Sequence, residues 1–168
     1  MRLFGPATPL GSATAVATCA FDQAVKLWLI FGFDLPAKGV VPIVPGISLV
    51  MTWNRGISYG LFQQHSDLGR WTLLGITGIA VFILWVWLAH AGSRCTAIAL
   101  GLILGGAIGN AVDRLVYGAV ADFVLLHATI GASTFHWYVF NLADAAIVVG
   151  VALVLYESLL AGRAPKAP

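Results

Sequence analysis

The chain has 168 residues, of which 60% are hydrophobic and only 10% charged, with a net charge of +2. Soluble domains carry about 25% charged residues, so a water-facing surface is excluded and the bilayer is the expected solvent. The charge is too small and too scattered for a nucleic-acid footprint, so no nucleic acid is expected as a partner.

The length suits one membrane-embedded unit over residues 1–168. Its start, "MRLFGPATPLGSATAVATCAFDQ", has the outline of a cleaved leader, but apolar character resumes at "LWLIFGF". That resumption predicts a retained first span over residues 10–32. It contains Asp22 and Lys26, four residues apart with the acid first, so the two share a helix face. Cys19 and Cys95 lie far apart and outside any metal pattern, and read as small buried hydrophobes.

Residues 33–70 form a link too interrupted by proline and glycine to span. Its "SLVMTW" run predicts short strands with turns at "VPG" and "NRG", making an apolar sheet on the membrane surface. The second span, 71–89, has no charge; the third, 95–117, ends in "GGAIGNAVDR". A link over 118–138 leads to the fourth span at 139–160. Each span approaches the roughly 20 residues a helix needs to cross the hydrocarbon. The expected fold is an all-α membrane protein of four transmembrane helices, with a small extracytoplasmic β-rich cradle and a mobile outer segment. Four spans put both termini on one side, together with Arg94 in the link "HAGSR". Arg2, Arg163 and Lys166 share that side, which is assigned to the cytoplasm. Lys38, Arg55 and Arg70 oppose the assignment from the other side, Arg70 at the headgroup edge.

Ionisable residues in spans are costly and face protein or water-filled cavities. Asp22, Lys26, Asn110, Asp113 and Arg114 have a plain reading as a packing and anchoring network, with Gly105, Gly106 and Gly109 admitting a close neighbour helix. Asp122, in "GAVADFVLL", and Asp144, in "FNLADAAI", differ. The chain reverses between them, so antiparallel spans bring both to one depth. Taken singly, Asp144 reads as a helix-end charge anchor and Asp122 as a loop aspartate or cap. Taken together, two close carboxylates in a partly dry place share a proton, the condition for aspartic proteolysis. No serine or cysteine triad has a credible base. His65, His90, His127 and His136 are dispersed, and there is no "HExxH". A non-enzymatic transporter subunit or assembly factor is the competing reading. The clustering of carboxylates at one face and the lack of a repeated half count against it.

Five blocks occur in order: "DQAVK" at 22–26, "NRGISYG" at 54–60, "GGAIGNAVDR" at 105–114, "VADF" at 120–123 and "FNLADAAI" at 140–147. In these blocks the sequence resembles the signal peptidase II family, also called lipoprotein signal peptidases, over nearly its whole length. The resemblance implies an aspartic endopeptidase of the bacterial inner membrane. Such enzymes remove signal peptides from prolipoproteins, cutting just before a cysteine that carries diacylglycerol. It implies Asp122 and Asp144 as catalytic residues, with Asn141 preceding the second. Asn54 and Gly56 of the N-x-G block fall beside the substrate path. Asn110, Asp113 and Arg114 brace the site, and Asp22 and Lys26 form a supporting pair. No metal or organic cofactor is implied. The expected partners are diacylglyceryl prolipoprotein signal peptides and membrane lipids, and a monomer already holds both aspartates. Residues 33–70 are expected to act as a lid or cradle over bound peptide. The sequence departs from the family at Ile57 and Tyr59, and at Ala121, where a branched residue is usual; none of these removes a reactive group.

Overall fold

The computed structural model describes residues 3–56, 67–130 and 133–161. Arg2, Ile57, Tyr59, His65, Arg163 and Lys166, named above, lie outside the described residues.

Helix α1, Thr8–Leu27, runs on through a π-helical turn, Trp28–Gly32. Then come a short helix α2, Leu35–Lys38, and strands β1, Val41–Val44, and β2, Ile47–Asn54. Helices α3, Asp67–Ala89, and α4, Arg94–Tyr117, lead to strands β3, Val120–Ile130, and β4, Ser133–Phe140, and then helix α5, Leu142–Ala161. Among the described residues four helices are long and apolar enough to cross a membrane: Thr8–Gly32, Asp67–Ala89, Arg94–Tyr117 and Leu142–Leu159. Their outward faces carry Phe21, Phe31, Ile79, Phe82, Val148 and Leu155, all exposed, as lipid-facing side chains must be. The chain is a multi-pass membrane protein with a β-rich cap at one end of the bundle.

Helix α4 is the central post. A Cβ on Gly105 would lie 2.5 Å from the Ala15 carbonyl of α1, and one on Gly106 would lie 2.4 Å from the Ala143 carbonyl of α5. Any side chain there would force a neighbour away, so these glycines set how closely α1 and α5 approach. Leu88 of α3 joins Ala97, Leu100 and Leu104 of α4 and Ala15 in an apolar core. At its start α4 is capped by Ser93, whose Oγ accepts from the Thr96 amide at 3.0 Å. Glu157 of α5 accepts from the hydroxyls of Ser93 and Thr96 and fastens the far ends of the two helices. At its other end Gly118, with φ +75°, takes the left-handed turn that leads into β3.

The four strands form one antiparallel sheet in the order β1-β2-β3-β4. The turn expected at "VPG" joins β1 and β2, and β2 ends at Asn54, where "NRG" begins. The link 118–138 joins α4 to α5 as expected; its β-branched and aromatic residues form β3 and β4, and β3 pairs with β2. One expectation needs correction. The fourth span starts at Leu142 rather than 139, because Val139 and Phe140 belong to β4. Leu29 of the π-helical turn, Leu35 of α2 and Phe123 of β3 make a second core that seats the sheet on the end of α1.

Candidate active site

The site is assembled where α5 begins. Asn141 precedes the helix, and its Oδ1 accepts from the Asp144 amide at 2.9 Å. The Asp144 carboxylate reaches back to accept from the Asn141 amide at 3.2 Å. This reciprocal cap needs a short polar side chain at the first position and an acceptor three residues on, as "NLAD" provides. The anchor reading of Asp144 is therefore correct as local structure. It leaves Oδ1 to the Asn110 side-chain amide of α4, at 2.9 Å.

Asp122 comes from β3. Side chains alternate along a strand, so Phe123 enters the second core while Asp122 points the other way. Thr52 of β2 is its cross-strand partner, and Asn54, two residues on, shares that face. Asn54 Nδ2 donates to Asp122 Oδ2 at 3.0 Å, and Asn141 Nδ2 donates to Oδ1 at 2.6 Å. Both carboxylates thus accept from Asn141, Asp122 from its side-chain amide and Asp144 from its backbone amide. Asp122 is 1% exposed, whereas Asp144 is half-buried. Burial pushes the Asp122 carboxyl up, and the negative charge of Asp144 adds to it, to about 7. Donation from Asn54 and Asn141 acts in the opposite sense.

Behind this pair lies a second group of acids. Lys26 Nζ is 2.8 Å from Asp22 Oδ2 and 2.7 Å from Asp113 Oδ2, with all three side chains almost fully buried. Lys26 also reaches Asn110 Oδ1 at 3.3 Å. Every member holds backbone or a neighbour in place. Asp22 Oδ1 accepts from the Ala143 amide at the start of α5, at 3.0 Å. Asp113 Oδ2 accepts from the Ala121 amide, next to Asp122, at 3.1 Å. Ala121 is fully buried, so the small residue at this departure from the family occupies a tight position. The triad fixes both elements that deliver the aspartates.

Arg114 donates to the Gly56 carbonyl at 3.0 Å, and the Gly56 amide donates to Asn54 Oδ1 at 3.0 Å. Asn54 and Gly56 are therefore part of the wall around Asp122. All ten residues singled out from the sequence fall into this connected network. Sequence reasoning passed over two others. Gln23, adjacent to Asp22, donates to Asp113 Oδ1 at 2.8 Å and to the Gly109 carbonyl at 3.1 Å. Tyr138 of β4 accepts from Asn54 Nδ2 at 3.1 Å. The signal for Gln23 was its place in the "DQAVK" block; Tyr138 is found only once β4 is known as a strand. Among the described residues no group of three or more His, Cys, Asp or Glu side chains is placed to hold a metal ion.

Comparison with known proteins places this geometry in a family. The family model described as signal peptidase (SPase) II matches residues 14–160. A lipoprotein signal peptidase of Rhodopseudomonas palustris (strain TIE-1) is 52% identical over 159 residues, covering 95% of this chain and 97% of the relative. One from Nitrobacter hamburgensis is 53% identical over 163 residues, covering 96% and 99%. One from Methylobacterium sp. (strain 4-46) is 57% identical over 150 residues, covering 89% and 88%. In fold, the chain is similar to a bacterial membrane enzyme solved by the in meso method at 2.3 Å resolution. The TM-score is 0.76 at 23% identity, over 94% of this chain and 92% of the other. With a family model spanning most of its length and relatives above half identity end to end, the chain belongs to the signal peptidase II family.

Proposed function

We propose that Asp122 and Asp144 are the catalytic pair of an aspartic endopeptidase that removes signal peptides from diacylglyceryl-modified prolipoproteins. The observation that carries this reading is that one residue, Asn141, binds both carboxylates, while among the described residues no cation forms an ion pair with either. Asp122, pushed up to about 7, is the member that favours the shared proton near neutral pH. Protonated Asp122 donates to the scissile carbonyl oxygen. Charged Asp144 accepts a proton from the attacking water and returns it to the leaving amine. Asn110, Asn54 and Asn141 hold the carboxylates without neutralising them. The Asp22–Lys26–Asp113 triad and Arg114 support the site from behind and beside it.

The substrate and the setting belong to the same reading. Arg94 begins α4, and Asn110, which donates to Asp144, lies towards its other end, about 24 Å along the helix at 1.5 Å per residue. With the α3–α4 link in the cytoplasm by the charge rule, the site faces the extracytoplasmic surface of the inner membrane. There a peptide whose cysteine is held in the bilayer by two acyl chains meets the carboxylates while its lipid stays in hydrocarbon. One chain supplies both aspartates, so a monomer suffices.

The test is product mapping. The purified protein in liposomes is given a diacylglyceryl prolipopeptide and its unmodified counterpart. The reading expects a product that begins at the lipidated cysteine, and at least tenfold slower cleavage of the unmodified peptide. Cleavage at another bond, or equal cleavage of both peptides, would contradict it.

A further inference from the structure

We infer that Tyr138 is a positioning residue for the reaction, acting through Asn54 on Asp122. The inference rests on the reading of Asp122 and Asp144 as the catalytic pair. Tyr138 lies on β4 two residues before Phe140, where the pairing with β3 shifts register between Leu125 and His127, and its hydroxyl is held beside Asp122 by its bond to Asn54. Asn54 reaches Asp122 from β2, on the other side of β3. The two side chains meet over β3: Asn54 Nδ2 donates one N–H to Tyr138 Oη at 3.1 Å and the other to Asp122 Oδ2 at 3.0 Å. Asn54 Oδ1 is occupied by the Gly56 amide. An amide nitrogen has two hydrogens in one plane, so fixing one direction fixes the other. With the phenol oxygen as second acceptor, the carboxamide plane is locked and its N–H stays aimed at the carboxylate.

That donation favours charged Asp122 and opposes the upward push of burial and Asp144. Among the described residues, the charged groups around Asp122 are Asp144 from α5, Lys26 from α1, and Asp113 and Arg114 from α4. The adjoining strands β2 and β4 present the Asn54 amide and the Tyr138 hydroxyl. Tyr138 therefore sets, through Asn54, how far towards neutral pH the shared proton is held.

The experiment is a pH profile of prolipopeptide cleavage by the full chain in liposomes. It compares wild type, Tyr138→Phe, Asn54→Ala, the double variant and Asp122→Asn. Removing the phenol oxygen loosens Asn54, so the alkaline limb of Tyr138→Phe moves up by about half a pH unit. Asn54→Ala moves it at least as far, and the double variant no further. Site-specific 3-fluorotyrosine at position 138 keeps the acceptor oxygen and retains the wild-type limb. A limb for Tyr138→Phe that overlays wild type, with an unchanged unfolding temperature, overturns the inference. So does an undiminished shift in the Asn54→Ala background. Full activity in Asp122→Asn would remove the catalytic reading itself, which separates the two failures.

Discussion

The protein buries two pairs of aspartates within one network and treats them oppositely. Asp22 and Asp113 are joined by Lys26, at 2.8 and 2.7 Å; Asp22 takes the Ala143 amide on its other oxygen, and Asp113 takes the Ala121 amide on the same oxygen that meets Lys26. Asp122 and Asp144 are joined by neutral carboxamides, and the charge of one raises the proton affinity of the other. The residue type is the same, and Asp122 is as deeply buried as Asp22 and Asp113, with Asp144 half-buried. On the proposed reading, what separates a structural clamp from a reactive pair is the partner between the carboxylates. Lys26 offsets one of the two charges of its pair, whereas the carboxamides orient the other pair without offsetting any charge and leave it to share a proton.

If this division is correct, the two pairs respond differently to the loss of one charge. The largest effect is expected at the amide-held pair. Asp122→Asn or Asp144→Asn lowers cleavage on the order of 10²–10⁴-fold, as the loss of a general acid or base does. The unfolding temperature stays near wild type, and calorimetry in detergent beside the cleavage assay checks both. In the clamp, Lys26→Met strands two buried carboxylates and costs about 3–5 kcal/mol of stability. A triple variant, Asp22→Asn/Lys26→Met/Asp113→Asn, recovers most of it, because no charge is left uncompensated. If the single lysine variant is as stable as wild type, the clamp reading is wrong.

A smaller effect concerns pH. Asp122 favours its proton up to about 7, and the reaction uses that proton, so cleavage falls as pH rises through about 7. A profile flat to pH 9 would break the contrast between the pairs. The smallest effect tests how far they are insulated from each other. A Cβ on Gly109 would lie 2.9 Å from Asp22 Oδ2. Gly109→Ala presses on the clamp and lowers stability by about 1–3 kcal/mol, while the alkaline limb of the cleavage profile stays in place.

The sequence carried the helices in its apolar runs and the meeting of Asp122 and Asp144 in the chain reversal between the third and fourth spans. It did not carry β3 and β4. "VADFVLLHATI" is apolar enough to pass for part of a link on the membrane, and its pairing with β2 joins segments far apart in the chain. Misplacing Val139 and Phe140 in a helix hid the strand that brings Tyr138 to Asn54. Asn54 stands 68 positions from Asp122, and only its family block marked it; the contact comes from β-register. The split between Asp22 and Asp113 on one side and Asp122 and Asp144 on the other was legible in the chain reversal and the family blocks; what the structure adds is the position of Lys26 Nζ between the first two.

The central claim is that the aspartate pair holds one exchangeable proton, seated on Asp122. Infrared difference spectroscopy of the purified protein across pH tests it directly, by following the carbonyl stretch of a protonated carboxyl. The account predicts a band present at pH 6, lost as pH rises through about 7, and absent from Asp122→Asn. A band that persists unchanged in Asp122→Asn, or no protonated carboxyl at pH 6, would contradict it.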